Sequence, residues 1–449
     1  MNINVNYIIN TWNLTSIKNI DFEKCYIVNV NGIPILHLYT ITNIVECPHC
    51  RGSSFNVRSS REQKIKHVLS NQSYAEITFH KRIYKCDLCC HCFSDSLGDF
   101  VSSRGVSIYL ELAILESIKN LSLTYKMIAN MYNVSDTFVR ELFDSHLSIT
   151  PLKLPCVLCV DEIYARRLTS TKYCCVLFDP MENKIIDILY SRRKDLLEPY
   201  FSRKSKEEKS VVKYFICDLN DTYRSIAYKY LRGITVVADS FHVIKNLSDA
   251  FRQIRIRVMK KHEEMRNETM EYWLLKKFHW MLEMSIDDVQ KDYYEFRKWD
   301  MTLSKYQLLD YMMKVDETLT EAYYLKEAYR DFNRYHRINS DEDQLEIQQK
   351  LAEFIKAFHT SLSPEFRRFG NTLSNWQIEI INSFIYIDGW RLSNAKIENI
   401  NGQIKNLMSI SYGFTNFERT RTRIIYTINK DYPFSTTKRY KTKKRKKQN

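Results

Sequence analysis

The chain has 449 residues, 44% hydrophobic and 27% charged, which makes it globular and long enough for more than one domain. Lysine and arginine number 67 against 53 aspartates and glutamates, and the net charge of +14 favours a polyanionic partner. No apolar run approaches a membrane span, and Met-Asn-Ile-Asn-Val-Asn lacks the regions of a signal peptide, so no membrane association and a cytoplasmic location are expected.

Residues 1–98 read as an N-terminal zinc-ribbon domain. Strand-like runs, Cys25–Val30 and Ile33–Tyr39, precede Cys47-Pro-His-Cys50. A further strand-like stretch, Ala75–Tyr84, leads to Cys86-Asp-Leu-Cys89-Cys90-His-Cys92. Six of the twelve cysteines fall between Cys47 and Cys92, too uneven for a disulfide framework. Two C-x₂-C pairs separated by a strand suit a structural zinc ion held by Cys47, Cys50, Cys86 and Cys89, with Cys90 or Cys92 as alternatives to Cys89. Four thiolates closing a tetrahedral site let a segment with little core fold stably. The later pair, Cys156 and Cys159, has no partner pair and reads as core.

Residues 99–152 are predicted to hold a helix-turn-helix between Tyr125 and Ser145. Ile128 and Ala129 lie in its first helix, Asn133 at the tight turn, and Ser135 caps the second helix. Val139 and Leu142 continue the apolar face, which leaves Asp136, Thr137, Arg140 and Glu141 to meet a DNA groove, with Thr137 and Arg140 as contacts.

From residue 153 the pattern changes. An apolar run ends at Asp161-Glu162, and strands Tyr173–Phe178 and Lys184–Tyr190 follow. A charged helical segment, Lys194–Lys209, precedes a fourth strand, Val211–Cys217, ending at Asp218. A helix, Asp221–Leu231, and a fifth strand, Ile234–Ala238, then end at Asp239-Ser-Phe-His242. Three strands, helix, strand, helix, strand is the order of a ribonuclease H-like (retroviral integrase-like) core, in which the first and fourth strands are neighbours. Residues 153–245 are thus the first part of a multidomain α/β catalytic core. Residues 246–388 read as an all-helical insertion that opens on a basic amphipathic helix, where Arg252 and Arg255 are expected to face DNA. The last part of the core, 389–430, carries a helix capped by Ser393. Ile397, Ile400, Ile404 and Leu407 form its apolar stripe, and Asn394, Glu398, Asn401, Gly402 and Lys405 the adjoining one. Lys405 is a further DNA contact. The tail, 431–449, is almost wholly basic from Lys438 to Lys447, which suits either a solvated terminus or a phosphate-binding arm.

Asp161, Asp218 and Glu398 would together form a carboxylate triad. Oxygen-only ligands select Mg²⁺ or Mn²⁺, and two such ions roughly 3.5–4 Å apart suit in-line displacement at phosphorus. Asp239 is the alternative second acid by motif. Topology favours Asp218, because it ends the fourth strand.

The segments Val160-Asp-Glu-Ile-Tyr-Ala-Arg-Arg, Val236-Val-Ala-Asp-Ser-Phe-His-Val-Ile-Lys and Ser393-Asn-Ala-Lys-Ile-Glu-Asn-Ile-Asn-Gly-Gln-Ile-Lys resemble DDE-type transposases of bacterial insertion sequences, closest to the ISL-three family. So does Ser411-Tyr-Gly-Phe-Thr-Asn-Phe-Glu. The resemblance implies binding of terminal inverted repeats in double-stranded DNA, then cleavage and strand transfer into target DNA. Asp161 and Glu398 carry over as catalytic metal ligands, and Asp239 with His242 resembles an accessory Asp-x-x-His signature. Ser240 stands where that family usually has a basic residue. At least a dimer is expected, since two element ends must be paired, along with association with the bacterial nucleoid. The alternatives are a transposase-derived DNA-binding regulator and a ribonuclease H-like nuclease acting on branched nucleic acid.

Overall fold

Strand alternation and cysteine spacing organise the first of the two units into which the chain divides, Met1–Thr150 with Asn406–Asn449; the second is Pro151–Lys405. The structure is a computed structural model that describes residues 5–41, 44–266, 268–284, 293–297, 300–410 and 415–431. The basic run Lys438–Lys447 and positions 411–414 lie outside the described residues.

In the first unit, helix α1 (Val5–Thr11) precedes strands β1 (Tyr26–Val30), β2 (Ile33–Leu38), β3 (Phe55–Val68), β4 (Tyr74–Cys86) and β5 (Cys92–Ser94). They form one sheet in the order β1-β2-β4-β3, with β5 also paired to β4. Alternate residues of β2 and β4 (Leu36, Leu38, Ala75, Ile77, Phe79) point to one face, where Ile8 and Trp12 of the N-terminal segment close the core. His67, near the end of β3, is buried there too. Its two ring nitrogens meet the Trp12 carbonyl and the Ser107 hydroxyl, both at 2.8 Å. Helices α2 (Ile108–Ile118), α3 (Tyr125–Met131) and α4 (Asp136–His146) follow. Ser135 caps α4 by accepting from the Phe138 N–H at 3.0 Å, and Asn133 takes the left-handed φ of 48° that lets the chain reverse between α3 and α4. Ile128, Ala129, Val139 and Leu142 are buried between the helices. The C-terminal segment Phe417–Ile428 locks this pair. Arg419 makes a bidentate pair with Asp144, and buried Arg423 donates to the carbonyls of Asn120 and Leu123.

The second unit is built on strands β6 (Val157–Tyr164), β7 (Tyr173–Asp179), β8 (Lys184–Leu189), β9 (Tyr214–Cys217) and β10 (Thr235–Ala238), in the order β10-β9-β6-β7-β8. β6, β7 and β8 pair antiparallel, whereas β6 with β9 and β9 with β10 pair parallel. Helices α5 (Lys194–Ser202), α6 (Lys206–Val211) and α7 (Asp221–Tyr230) connect them. Leu197, Phe201, Tyr223 and Ile226 of α5 and α7 cover the face carrying Leu158, Val160, Phe215 and Val236. The fourth strand is shorter than predicted, because Val211 ends α6 rather than opening β9. The first is longer, since β6 continues to Tyr164. Its parallel pairing with β9 stops at Cys159, however, so Asp161 still lies just past the point where the two strands separate.

Helix α8 (Ser240–Lys261) leads into α9 (Glu271–Lys277), α10 (Lys305–Met313), α11 (Glu317–Tyr335), α12 (Asp341–Thr360), α13 (Pro364–Asn375) and α14 (Gln377–Asn382). The insertion is not all-helical. Strands β11 (Tyr293–Phe296) and β12 (Met301–Ser304) pair antiparallel within it, and β13 (Tyr386–Ile387) with β14 (Trp390–Arg391) at its end. Both pairs are too short for a period-2 pattern to stand out against the helical stripes around them. Helix α15 (Ala395–Ile410) closes the unit, starting after Asn394, one residue later than the predicted Ser393 cap. No described helix is long and apolar enough to cross a membrane.

Candidate active site and metal centres

Two ligand clusters stand out. The first is the tight turn after Cys47 brought against the turn after Cys86. The sulfurs of Cys47, Cys50, Cys86 and Cys89 lie within 4.8 Å of one another, with Cys47 3.7 Å from Cys89 and Cys50 3.5 Å from Cys86. Backbone N–H groups of Cys89, then Leu88, lower the Cys86 thiol. At Cys89 the His91 N–H is outweighed by burial and by the Cys50, Cys86 and Cys47 sulfurs, which raise that thiol. Thiols that compete for charge in this way are what a bound zinc ion relieves. Cys90 is exposed with a left-handed φ of 57°, and Cys92 lies in β5 beside Arg58. Neither displaces Cys89 from the cluster. Of the later pair, Cys159 is core as expected, but Cys156 is exposed just before β6 begins.

The second cluster lies beside α15, at the ends of β9 and β10 and where β6 parts from β9. Strand alternation sends Asp161 to the α15 face, together with Cys159. The Asn401 amide donates to Asp161 Oδ2 at 2.7 Å, and Asn394 Nδ2 donates to the Val160 carbonyl at 3.2 Å. Asp239 is fully buried, with both oxygens engaged: Oδ1 accepts from the Asn394 N–H at 2.9 Å and Oδ2 from His242 Nδ1 at 2.8 Å. Ligand atoms of Asp239, His242 and Glu398 lie within 4.8 Å of one another. Asp218 follows β9 directly, and its Oδ1 is buried with no partner among the described residues.

These groups feel one another's charge. Burial first, then Glu162, with Asp161 and Asp239 adding to it, pushes Asp218 up to about 6. Burial raises Asp161 against the N–H of Glu162 and the Asn401 amide, and burial with the Asp239 charge raises Glu398. His242 is raised by its bond to Asp239, and the charges of Asp218 and Asp161 add to that. A knot of mutually repelling carboxylates containing an orphaned buried oxygen is what a hard divalent cation relieves. The donor set therefore fits Mg²⁺ or Mn²⁺. The grouping of Asp239 with His242 and Glu398 competes with Asp218 for the role of second acid. Each Asp239 oxygen already accepts one hydrogen bond within the protein, whereas Asp218 Oδ1 has no partner among the described residues.

Glu162 escaped the sequence reading. One residue on from Asp161 in β6, it faces α5 and α7, where Arg192 donates to its Oε1 at 2.5 Å. The alternation of β6 would have separated the two acids had the strand been extended past Val160. Of the expected DNA contacts, Thr137 and Lys405 are exposed, and Arg140 is half-exposed in an ion pair with Asp136 at 2.8 Å. Arg252 is exposed but held by Asp249 and Glu283. Arg255 is a correction. It is buried, and its guanidinium donates to the Leu275 carbonyl at the end of α9 at 2.6 Å, so it holds two helices together and does not face DNA.

A transposase family model, that of the ISL3 DDE transposases, matches residues 158–424, more than half of the chain. A second, the zinc finger of the transposases of IS204, IS1001, IS1096 and IS1165, matches residues 45–89. None of the curated proteins compared with the chain is significantly similar to it.

Proposed function

The chain belongs to the ISL3 family of DDE transposases, and from that premise we propose that it binds the terminal inverted repeats of an insertion sequence and cleaves and joins DNA there by two-metal-ion phosphoryl transfer. The observation that carries the proposal is the Asp239–His242–Glu398 group, whose ligand atoms lie within 4.8 Å of one another, with Asp161 and Asp218 close enough to feel the charge of Asp239 or His242 and one buried Asp218 oxygen left open. The order of the five strands, with β6 beside β9, supports a ribonuclease H-like core, and the capped α3–α4 pair supports a helix-turn-helix.

Asp161, Asp218 and Glu398 would hold the divalent ions, which supply Lewis-acid stabilisation of the oxygens around phosphorus. The rest is the work of the chain's own groups. Asp239 fixes His242 and the start of α15, and so sets where Glu398 stands relative to β6. Lys405, on the same stripe as Glu398 and exposed, is available to a backbone phosphate. Thr137 and Arg140 on α4 are presented to base edges, and the ribbon, with zinc at its four cysteines, adds further duplex contact. Pairing two element ends calls for at least a dimer.

The test is cleavage of a DNA fragment bearing the element's ends. Wild type should nick and join in Mg²⁺, whereas Glu398→Gln and Asp161→Asn should bind the ends normally yet do neither. A Glu398→Gln protein that joins ends at near wild-type rate would overturn the reading.

A further inference from the structure

Asn401 follows Glu398 by one turn of α15 and is 3% exposed. Its Nδ2 donates to Asp161 Oδ2, while its own Oδ1 is buried with no partner among the described residues. Two turns before it, Asn394 is fully buried, and ties the start of the same helix to the Val160 carbonyl and to Asp239. Two carboxamides thus bracket Glu398 and reach the strand that carries Asp161.

Both amides leave a buried Oδ1 without a partner among the described residues, at a cost on the order of 1–3 kcal/mol each, but only Asn401 directs its side-chain donor at a carboxylate of the cluster. Asn401 meets Asp161 and leaves the other end open. Its donated hydrogen bond engages Oδ2 and restrains the Asp161 carboxylate from turning. The geometry points to Asn401 as a positioning residue of the catalytic centre, one that sets the orientation in which Asp161 meets the cation. This rests on the proposed role of Asp161 as a metal ligand. The carboxamide leaves net charge unchanged and acts by direction alone. An apolar residue of the same shape would pack as well but leave Asp161 free to rotate.

The test is Mn²⁺ affinity of the full-length protein, read by calorimetry without DNA, together with the thermal melt and cleavage in Mg²⁺ and in Mn²⁺. Asn401→Leu keeps the shape and loses the donor. Removing the orphaned Asn401 Oδ1 offsets unpairing Asp161 Oδ2, so the melt should stay close to that of wild type, and element ends should bind as tightly. Its Mn²⁺ affinity should fall about tenfold or more, the usual consequence of removing a partner that orients a ligand. Cleavage should fall further in Mg²⁺, the more geometrically demanding ion, than in Mn²⁺. Wild-type Mn²⁺ affinity in Asn401→Leu would overturn the inference, as would a lowered melt with unchanged affinity per folded molecule. If Asn401→Leu does not fold, Asn401→Ser carries the same comparison. Asp161→Asn separates the two claims: if it too keeps wild-type Mn²⁺ affinity, the assignment of Asp161 as a ligand fails. If only Asn401→Leu keeps it, the positioning role alone fails.

Discussion

Two aspartates in the same cluster should respond to the same substitution with opposite signs. Asp218 stands at about 6 against an ordinary 3.8, chiefly through burial and the neighbouring Glu162. A folded-state value above the unfolded one means that the native unit holds the proton more tightly. The stability contributed by the protonated acid is therefore present below about pH 4 and lost as pH rises through about 6. At about 1.4 kcal/mol per pH unit, ionised Asp218 costs the second unit about 3 kcal/mol at pH 8 in the absence of a cation. Asp218→Asn removes that charge at constant volume, and should stabilise the unit by roughly 1–3 kcal/mol while abolishing cleavage. Asp239 is the reverse case. Its two oxygens take the Asn394 N–H and His242 Nδ1, and an amide can keep only one of these partners well. A hydrogen bond to a charged group contributes about 1.5–3 kcal/mol, so Asp239→Asn should destabilise by roughly 2–4 kcal/mol and retain residual cleavage with Mn²⁺. Denaturant melts at pH 8, in magnesium-free buffer without chelator so that ribbon zinc is kept, measure both. Adding Mg²⁺ should then raise the wild-type midpoint but not that of Asp218→Asn. An Asp218→Asn protein less stable than wild type, beside an unaffected Asp239→Asn, would refute the division of labour.

Replacing Cys47 or Cys86 with Ser should remove about one zinc per chain and weaken end binding, as metal analysis and a mobility shift would record; no zinc in the wild type would end the ribbon assignment. Arg140→Ala should weaken binding to the element's ends by about 1–3 kcal/mol while leaving binding to unrelated DNA nearly unchanged, so equal losses on both would remove α4 from base recognition. His67 is lowered to about 4, mainly by burial, so it is neutral in the fold and the stability it gives is present above about pH 6.5. As pH falls from there towards 4, the first unit should lose up to about 3 kcal/mol, and His67→Gln should flatten that dependence in thermal melts at pH 7 and 5. A wild-type melt that does not move over this range would contradict it.

The features legible in the sequence were those fixed by local spacing. Two C-x₂-C pairs bring four sulfurs together because each pair sits in one tight turn, and the strand between them supplies the register. The order of the strands in the second unit was readable because each apolar run stops at an acid or a turn. What escaped depends on groups distant in the chain. Arg255 follows buried Ile254 on a helix edge, and only the Leu275 carbonyl, 20 residues on, decides that it turns inward. The stripe of Asn394, Glu398, Asn401 and Lys405 was visible as a helical face. That the amides reach back to Val160 and Asp161 across more than 230 residues was not. Glu162 was hidden by ending the first strand at Val160, four residues too early.

The most direct measurement is anomalous diffraction from crystals of the protein bound to its element ends in Mn²⁺. The account predicts anomalous peaks coordinated by Asp161, Asp218 and Glu398, with Asp239 still bonded to His242 and to the Asn394 N–H. Peaks held instead by Asp239, His242 and Glu398, with Asp218 uninvolved, would contradict it.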